Sequence, residues 1–278
     1  MNRKKIRIEY HVLDKCNLNC KSCSHFSNLV DNEIPKSLSE LKQDFTKIWQ
    51  LTNFGDPECV EKVTVLGGEP LLYPDLIPAL DYVKTLFPHV YDEGPVQLVT
   101  NGTLLHKQKP EFFECLRRNN VTVCVSIYNI RQAKYEQIFN LLNSEGINWY
   151  WFAAYEYDDS KFSTKWLHNH FNENYKEYAK DCVWRQSCTQ LVDNKIYLCA
   201  LIAYFKHFDN KFKGQHSIKV TEEDYIDLEK IDSFSELMEA TDQIPRFCGH
   251  CRGSHAISEP WGITKQDISE YILDEPVG

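Results

Sequence analysis

Three cysteines close together near the start of the chain constrain it more than any other feature of its sequence. Cys16, Cys20 and Cys23 lie within eight residues, separated by three and then by two. The loop that carries them, residues 14–23, follows a segment at residues 6–13 that is rich in strand-forming residues and alternates in polarity. Three thiolates in one short loop suit a soft metal ion or an iron–sulfur cluster. We therefore predict a metal-binding loop after a first β-strand, and call residues 14–23 the cysteine loop.

Two kinds of metal site have to be compared for this loop. A zinc ion needs a fourth ligand, and the nearest candidate is His25, which is separated from Cys23 by a single residue. That spacing is poor for tetrahedral zinc, whose ligands usually come as separated pairs. A four-iron cluster normally takes four cysteines, so three of them leave one iron open. Because substrates bind at open metal positions, the spacing favours a catalytic [4Fe–4S] cluster over zinc.

The composition indicates a reducing compartment and argues against some classes of partner. The chain has no secretory signal and no apolar stretch long enough for a membrane span, so we expect a cytoplasmic protein with reduced thiols. Eleven cysteines in 278 residues then indicate metal or redox chemistry rather than disulfides. The formal net charge of -9 argues against binding to nucleic acid, which requires clustered Lys and Arg. We expect neither a nucleic-acid nor a membrane partner.

Strand-like and helix-like segments alternate over the first 152 residues. Strands are predicted at residues 6–13, 60–66, 96–100, 121–126 and 147–152. Helices are predicted between them at residues 37–49, 75–86, 110–118 and 132–143. This order implies an α/β fold with a parallel sheet and right-handed crossovers, and we predict a (β/α) barrel, partial or full.

Polar and glycine-rich motifs follow the predicted strands. Residues 67–70 (Gly-Gly-Glu-Pro) end the second strand, Asn101 follows the third, and Ser126 ends the fourth. In parallel sheets and barrels, binding sites form at the carboxyl ends of the strands. Two glycines let the backbone approach a ligand closely, and Glu69 offers a carboxylate to a ligand's ammonium group. These motifs are therefore expected to share one site with the cysteine loop.

Over about residues 6–152 the chain resembles the radical S-adenosylmethionine (radical SAM) superfamily. The three-cysteine spacing matches the signature of that family, and residues 67–70 match its GGEP motif, in the same order and at the same strand ends. The resemblance implies that Cys16, Cys20 and Cys23 bind a [4Fe–4S] cluster whose open iron is chelated by S-adenosyl-L-methionine. It further implies reductive cleavage of the sulfonium to a 5′-deoxyadenosyl radical, which abstracts a hydrogen atom from the substrate.

The resemblance also assigns residues to the cofactor. The S-adenosylmethionine-binding residues that it implies are Gly67, Gly68, Glu69, Pro70, Asn101 and Ser126. One position departs from the family pattern, because Ser22 stands where the family often has an aromatic residue that stacks on adenine. The nearby rings of His25 and Phe26 are the candidates to replace it.

Five further cysteines lie in the last hundred residues and resemble the auxiliary-cluster region of the same superfamily. They are Cys182, Cys188, Cys199, Cys248 and Cys251. Asn194 replaces the glycine that usually precedes the second of these ligands, and Asn tolerates a positive φ. Since no cysteine follows Cys251, the count allows one auxiliary cluster, as in the shortened Twitch form of the SPASM module found in 2-deoxy-scyllo-inosamine dehydrogenase.

The resemblance implies a second [4Fe–4S] cluster bound by Cys188, Cys199, Cys248 and Cys251. Cys182 competes with Cys188 for the first position, and a structural zinc site with the same residues is the alternative. Such a cluster would accept an electron from a substrate radical, bind substrate, or only hold the module together. The expected organisation is a partial (β/α)6 TIM-like barrel over residues 1–180 and a small C-terminal auxiliary-cluster module over residues 181–278. The later part of the chain is expected to pack on the open end of the barrel, with a strand pair that turns at Asp193 and Asn194 and a helix over residues 265–273.

The leading hypothesis is an oxidoreductase-type radical SAM enzyme that acts on a small polar, sugar- or cyclitol-like substrate by oxidation, epimerisation or rearrangement. A flavodoxin- or ferredoxin-type protein is expected to donate the electron. A small molecule is favoured over a peptide because the predicted barrel begins at residue 6, with no room for a leader-binding domain. The alternatives are a peptide-modifying enzyme of the same superfamily, a non-catalytic iron–sulfur electron carrier, and a zinc-binding interaction module.

Overall fold

The first half of the chain forms a parallel α/β sheet. The computed structural model describes residues 5–32, 35–88, 96–128, 135–153 and 163–273. Its first five strands are β1 (Ile6–His11), β2 (Val60–Leu66), β3 (Val96–Thr100), β4 (Val121–Ile127) and β5 (Trp149–Ala153). They pair in parallel with their neighbours in chain order. The helices α1 (Leu38–Leu51), α2 (Leu76–Leu86), α3 (Pro110–Arg118) and α4 (Tyr135–Ser144) lie between them in sequence.

The second half adds short elements, of which three strands extend the same sheet. The strands are β6 (Ser163–Lys165), β7 (Gln190–Val192), β8 (Lys195–Tyr197), β9 (Ile226–Asp227) and β10 (Ile257–Glu259). The helices are α5 (Tyr175–Ala179), α6 (Val183–Ser187), α7 (Ala200–Ala203), α8 (Phe205–Lys211) and α9 (Phe234–Thr241). Within the described ranges the strand order of the main sheet is β5-β4-β3-β2-β1-β7-β8-β9.

Besides the packing expected for the later part of the chain, three of its strands extend the main sheet. β7 pairs in parallel with β1, through Glu9 and Gln190, so the later strands continue the sheet at its β1 edge. β7 and β8 form the predicted hairpin, whose turn residues Asp193 and Asn194 have φ values of 51° and 58°. Asn and Asp adopt such left-handed conformations more readily than most residues, so the turn forms without glycine.

The sequence specifies the first helices and strands locally. Ser37 and Glu40 form a capping box at the start of α1, which satisfies backbone N–H groups that have no partner inside the helix. The strands β1 to β4 are almost continuously buried, as expected for a parallel sheet covered by helices. The α/β class is confirmed, and most predicted boundaries agree within two residues. The predicted helix residues 132–134 lie outside the described part of the chain.

The last segment, residues 257–273, is called the strap because it lies across the cysteine loop. It starts with β10, which pairs antiparallel with β6. A helix over residues 265–273 was predicted, but this is wrong: the segment contains a short 3-10 turn, Ile268–Glu270. The carboxylate of Glu270 accepts the N–H of Lys265 at 2.8 Å. Gln266 also has a φ of 55°, a left-handed conformation that does not continue a right-handed helix.

Two hydrophobic cores support these elements. The larger core lies between the sheet and the helices of the first half and extends to α9. The smaller core contains Phe26, Phe205, Phe208 and Tyr271, and so joins the segment after the cysteine loop to α8 and the strap. No helix in the described ranges is long and apolar enough to cross a lipid bilayer.

Candidate functional site

The cysteine loop is attached directly to the end of β2. The N–H of Gly68 donates to the carbonyl of Leu13 at 2.9 Å, and the N–H of Glu69 donates to the carbonyl of Lys15 at 3.0 Å. A Cβ atom on Gly68 would lie 2.2 Å from the carbonyl oxygen of Lys15, and one on Gly67 would lie 2.3 Å from that of Leu13. Both positions therefore require glycine, because the backbone of the loop occupies the space of a side chain.

Glu69 joins the ends of two strands. Its buried carboxylate accepts hydrogen bonds from the hydroxyl of Thr100 at 2.6 Å and from the N–H groups of Leu71 at 3.1 Å and Asn101 at 2.9 Å. Burial raises the pKa of Glu69 to about 7, against the opposing effect of these donors. A carboxylate offers about four acceptor positions, so three bonds leave capacity for a ligand.

Asn101 extends this arrangement to the first cysteine. Its amide nitrogen donates to the side-chain oxygen of Asn17 at 2.9 Å and lies 3.9 Å from the sulfur of Cys16. Its oxygen accepts from the backbone and hydroxyl of Thr103. Ser126 is half-buried near the carboxyl end of β4. The structure therefore places Asn101 against the cysteine loop and Ser126 at the carboxyl edge of the sheet.

The three loop thiols lie close enough to influence one another. Burial raises the pKa of all three, to about 12 for Cys20, and the charge of Cys23 raises the pKa of Cys16 and Cys20 further. The N–H of Leu18 lies 3.4 Å from the sulfur of Cys16, and the indole N–H of Trp261 lies 3.3 Å from that of Cys20. Such N–H donors stabilise the negative sulfur of a thiolate or of a cluster.

The residue considered as a fourth zinc ligand contacts another histidine in this structure. In the described residues, no three His, Cys, Asp or Glu side chains are grouped so that they could hold one ion. A four-iron cluster binds each thiolate through a different iron, so its cysteines need not converge on one point. His25, the fourth ligand considered for zinc, instead forms a 2.7 Å hydrogen bond through Nδ1 to Nε2 of His11.

The five later cysteines line one cavity of about 500 Å³. They are Cys182, Cys188, Cys199, Cys248 and Cys251. Trp166, Tyr178, Trp184 and Leu201 are also part of its wall, and His25 reaches it from the cysteine loop. The fold therefore brings together thiols that are up to 69 residues apart in sequence.

The contacts of these thiols are compatible with two ligand sets, which differ in whether Cys188 or Cys182 takes the first position. Burial raises the pKa of Cys199 well above the ordinary value, and the charges of Cys251, Cys248 and Cys188 add to the effect. The charge of Cys182 raises the pKa of Cys248 and Cys251 in addition to their burial. Cys182 and Cys188 lie at the two ends of the five-residue helix α6, and both reach the cavity.

Part of the chain is similar to proteins of known function. No protein-family model matches the chain. It is 28% identical over 101 residues to an S-adenosylmethionine-dependent nucleotide dehydratase from Flammeovirga pacifica, covering 36% of the chain and 31% of that relative. It is 34% identical over 116 residues to a GTP 3′,8-cyclase from Staphylococcus saprophyticus, covering 40% of the chain and 32% of that relative. The chain thus matches about a third of the length of these relatives.

The fold extends the similarity over most of the chain. The crystal structure of BtrN in complex with AdoMet and 2-DOIA superposes with a TM-score of 0.54 at 14% identity, covering 90% of this chain and 94% of BtrN. Together, these partial sequence matches and this fold indicate a radical SAM superfamily enzyme. The likeness to BtrN concerns the fold, whereas the sequence matches concern about 100 to 130 residues.

The position of Ser22 departs from the radical SAM pattern in structure as well as in sequence. Ser22 has a φ of 57°, and its hydroxyl donates to the carbonyl of Glu270 in the strap at 2.5 Å. Phe26 is 1% exposed and packs against Phe205 and Phe208, so the hypothesis that it replaces the adenine-stacking ring is wrong. His25 is stacked on His11.

Tyr128 is a residue of the candidate site that the sequence analysis missed. It follows β4, two residues after Ser126, and is half-buried. Burial raises its pKa well above the ordinary value, and the charges of the three loop thiols and of Glu69 raise it further. Its phenol therefore lies near both halves of the site. Its position directly after a strand is the sequence signal by which Tyr128 could be found.

A buried histidine network next to the cysteine loop was also missed. The carboxylate of Asp14 contacts Nδ1 of His11 at 3.0 Å and Nε2 of His207 at 2.7 Å. Burial alone would raise the pKa of Asp14, but these hydrogen bonds bring it well below its usual range. His11 in turn contacts His25, which lines the later cavity. The network thus connects α8, β1 and the cysteine loop.

Proposed function

We propose that this chain is a radical SAM enzyme with its reactive centre at the cysteine loop. Cys16, Cys20 and Cys23 would hold a [4Fe–4S] cluster. S-adenosylmethionine would bind to the residues that the sequence analysis assigned to it, Gly67, Gly68, Glu69, Pro70, Asn101 and Ser126. When bound, the cluster supplies the electron that cleaves S-adenosylmethionine to a 5′-deoxyadenosyl radical. The observation that carries this proposal is the direct bonding of Gly68 and Glu69 to the cysteine loop.

The residues of the chain would orient the cofactor rather than react with it. Glu69 keeps acceptor capacity beside the loop for the ammonium group of S-adenosylmethionine. Asn101 would fix the loop through Asn17, and Tyr128 would close the site from the end of β4. These roles predict that the loop, the GGEP motif and Tyr128 together orient S-adenosylmethionine.

A second cluster in the later cavity is part of the proposal. Cys188, Cys199, Cys248 and Cys251 are its ligands, with Cys182 as the competing residue. A cavity lined by all five thiols supports it. Such a cluster would accept one electron from a substrate radical, so that hydrogen abstraction ends in net oxidation. The oxidoreductase assignment rests on this electron transfer.

The proposed substrate is a small polar molecule of the sugar or cyclitol class. It is supported by the similarity in fold to BtrN, which was crystallised with AdoMet and 2-DOIA. A nucleotide is the second candidate, since the relatives in sequence are named as a nucleotide dehydratase and as GTP cyclases. A flavodoxin- or ferredoxin-type electron donor and a reducing, cytoplasmic compartment complete the proposal. The loop cluster needs the donor for its electron, and the free thiols persist in a reducing compartment.

Anaerobic reconstitution followed by substrate screening tests the proposal. Two four-iron clusters would give about eight irons per chain, and one cluster about four. Deuterated aminocyclitols, nucleoside triphosphates and a peptide would then be incubated with S-adenosylmethionine and a reductant. Deuterium transfer from an aminocyclitol into 5′-deoxyadenosine is the expected result. Transfer only from the nucleotide or the peptide would overturn the substrate class, and no cleavage of S-adenosylmethionine would overturn the function.

A further inference from the structure

The strap is bonded to the cysteine loop along its backbone. The N–H of Lys21 donates to the carbonyl of Gly262 at 2.7 Å, and the N–H of Thr264 donates to the carbonyl of Asn19 at 2.8 Å. Cys20 and Ile263 form an antiparallel bridge between these two bonds. The strap therefore pairs with the loop as a short strand would, directly beside one of its three cysteines.

This pairing places the indole of Trp261 beside a cysteine sulfur. Its indole N–H donates to Sγ of Cys20 at 3.3 Å. The two residues are 241 positions apart in sequence, whereas the N–H of Leu18 that approaches Cys16 belongs to the cysteine loop itself. An indole nitrogen donates but does not accept, so the contact has a defined direction. It counteracts the effect of burial on the pKa of Cys20.

Side chains on both sides of Trp261 fix the position of the strap. Glu259 forms an ion pair with Lys21 and a second one with Lys165 at 3.0 Å. On the other side, the amide nitrogen of Asn28 donates to the carbonyl of Cys20 at 2.8 Å and to the hydroxyl of Tyr271 at 2.5 Å. The indole is thus held by contacts that precede and follow it in sequence.

We propose that Trp261 is a positioning residue that tunes the loop cluster. By donating a hydrogen bond to the Cys20 thiolate, it raises the reduction potential of that cluster. The reduced cluster carries one more negative charge on its irons and sulfurs, and an N–H donor stabilises that charge more than it stabilises the oxidised form. This inference rests on the proposed function, in which Cys20 is a cluster ligand.

Trp261→Phe removes the donor and keeps an aromatic ring. The matched control is Trp49→Phe, because the indole of Trp49 donates to the carbonyl of Leu86 at 3.1 Å, away from the loop. The full-length reconstituted proteins are titrated electrochemically, following the electron paramagnetic resonance signal that changes when S-adenosylmethionine is added. We expect a lower midpoint potential for W261F and the wild-type value for W49F. An unchanged midpoint in an iron-replete W261F protein overturns the inference.

A measurement on the wild-type protein decides the question even if W261F fails to retain its iron. Tryptophan labelled with ¹⁵N in the indole ring is incorporated, and the same signal is analysed for a ¹⁵N hyperfine coupling. The coupling is expected, and its absence contradicts a hydrogen bond to the cluster. Failure of the proposed function looks different, because then iron, sulfide and the signal that responds to S-adenosylmethionine are themselves missing.

Discussion

The two cysteine sites of this chain are built in opposite ways. At the cysteine loop, three thiols come from eight consecutive residues, and backbone hydrogen bonds from the GGEP motif and the strap hold the loop. At the later cavity, five thiols come from three separate regions between residues 182 and 251, and aromatic side chains form much of the wall. The ligands of the first site are neighbours in sequence, whereas the fold brings the ligands of the second site together. We therefore expect the two sites to respond differently to substitution of single cysteines.

The comparison also separates two chemical roles. The cysteine loop has one thiol fewer than the four irons of a four-iron cluster and is surrounded by polar groups, including Glu69 and Asn101. The cavity has one thiol more than a cluster needs and few polar groups. A missing ligand favours a site where a cofactor binds, whereas a complete set favours electron transfer or structural support.

Removal of one loop thiol is expected to have the largest effect. Cys16→Ala, Cys20→Ala or Cys23→Ala should each lose about four irons and the signal that responds to S-adenosylmethionine, since two thiolates hold a four-iron cluster poorly. The control is Cys59→Ala, at the opposite end of β2. Iron analysis and electron paramagnetic resonance of the reduced proteins measure both effects. Full retention of iron and of that signal would contradict the ligand assignment.

Substitutions in the cavity should separate cofactor cleavage from product formation. Cys248→Ala is expected to cleave S-adenosylmethionine without substrate but to form no product, because the loop cluster is intact and the second cluster is missing. We expect the same of Cys188→Ala, whereas Cys182→Ala should keep its iron. Iron content and product yield test this. Full product from the C248A variant would show that the second cluster is not needed for turnover.

Iron loss in C182A together with retention in C188A would reverse the choice between the two cysteines at the ends of α6. It would leave the location of the second site unchanged, because both residues line the same cavity.

The attachment of the loop to β2 is expected to depend on Gly68. Gly68→Ala places a methyl group against the carbonyl of Lys15, and overpacking against backbone costs about 1–3 kcal/mol. Gly262→Ala is the control, since a Cβ atom there meets nothing within 4 Å. Denaturant unfolding and iron loading are measured for both variants. Equal stability and loading would show that the loop is not held at Gly68.

A smaller effect concerns the pH dependence of stability. Burial raises the pKa of Glu69 to about 7, so the folded protein retains a proton that the unfolded chain releases near its usual pKa of about 4.5. Glu69 therefore lowers stability as the pH rises from about 5 to about 7, by at most about 1.4 kcal/mol per pH unit. Glu69→Gln should remove this slope, and Glu111→Gln, on the exposed face of α3, should keep it. Unfolding curves of the cluster-free protein at several pH values measure it.

The parts of the molecule that the sequence predicted are those whose signals are local. The strand ends, the capping box of α1 and the Asp193–Asn194 turn depend on neighbouring residues, and so does the cysteine loop. The contact of Trp261 with Cys20 depends on a chain reversal that no local pattern encodes. Phe26 was misjudged for the same reason, because the core that buries it is formed by α8 and the strap.

The most direct test of the account is the formation of 5′-deoxyadenosine by the reconstituted protein. Wild-type protein and the variant with alanine at positions 16, 20 and 23 are incubated anaerobically with S-adenosylmethionine and dithionite. The account predicts 5′-deoxyadenosine from the wild-type protein and only background from the triple variant. Equal amounts from both proteins would contradict the claim that the cysteine loop holds the reactive cluster.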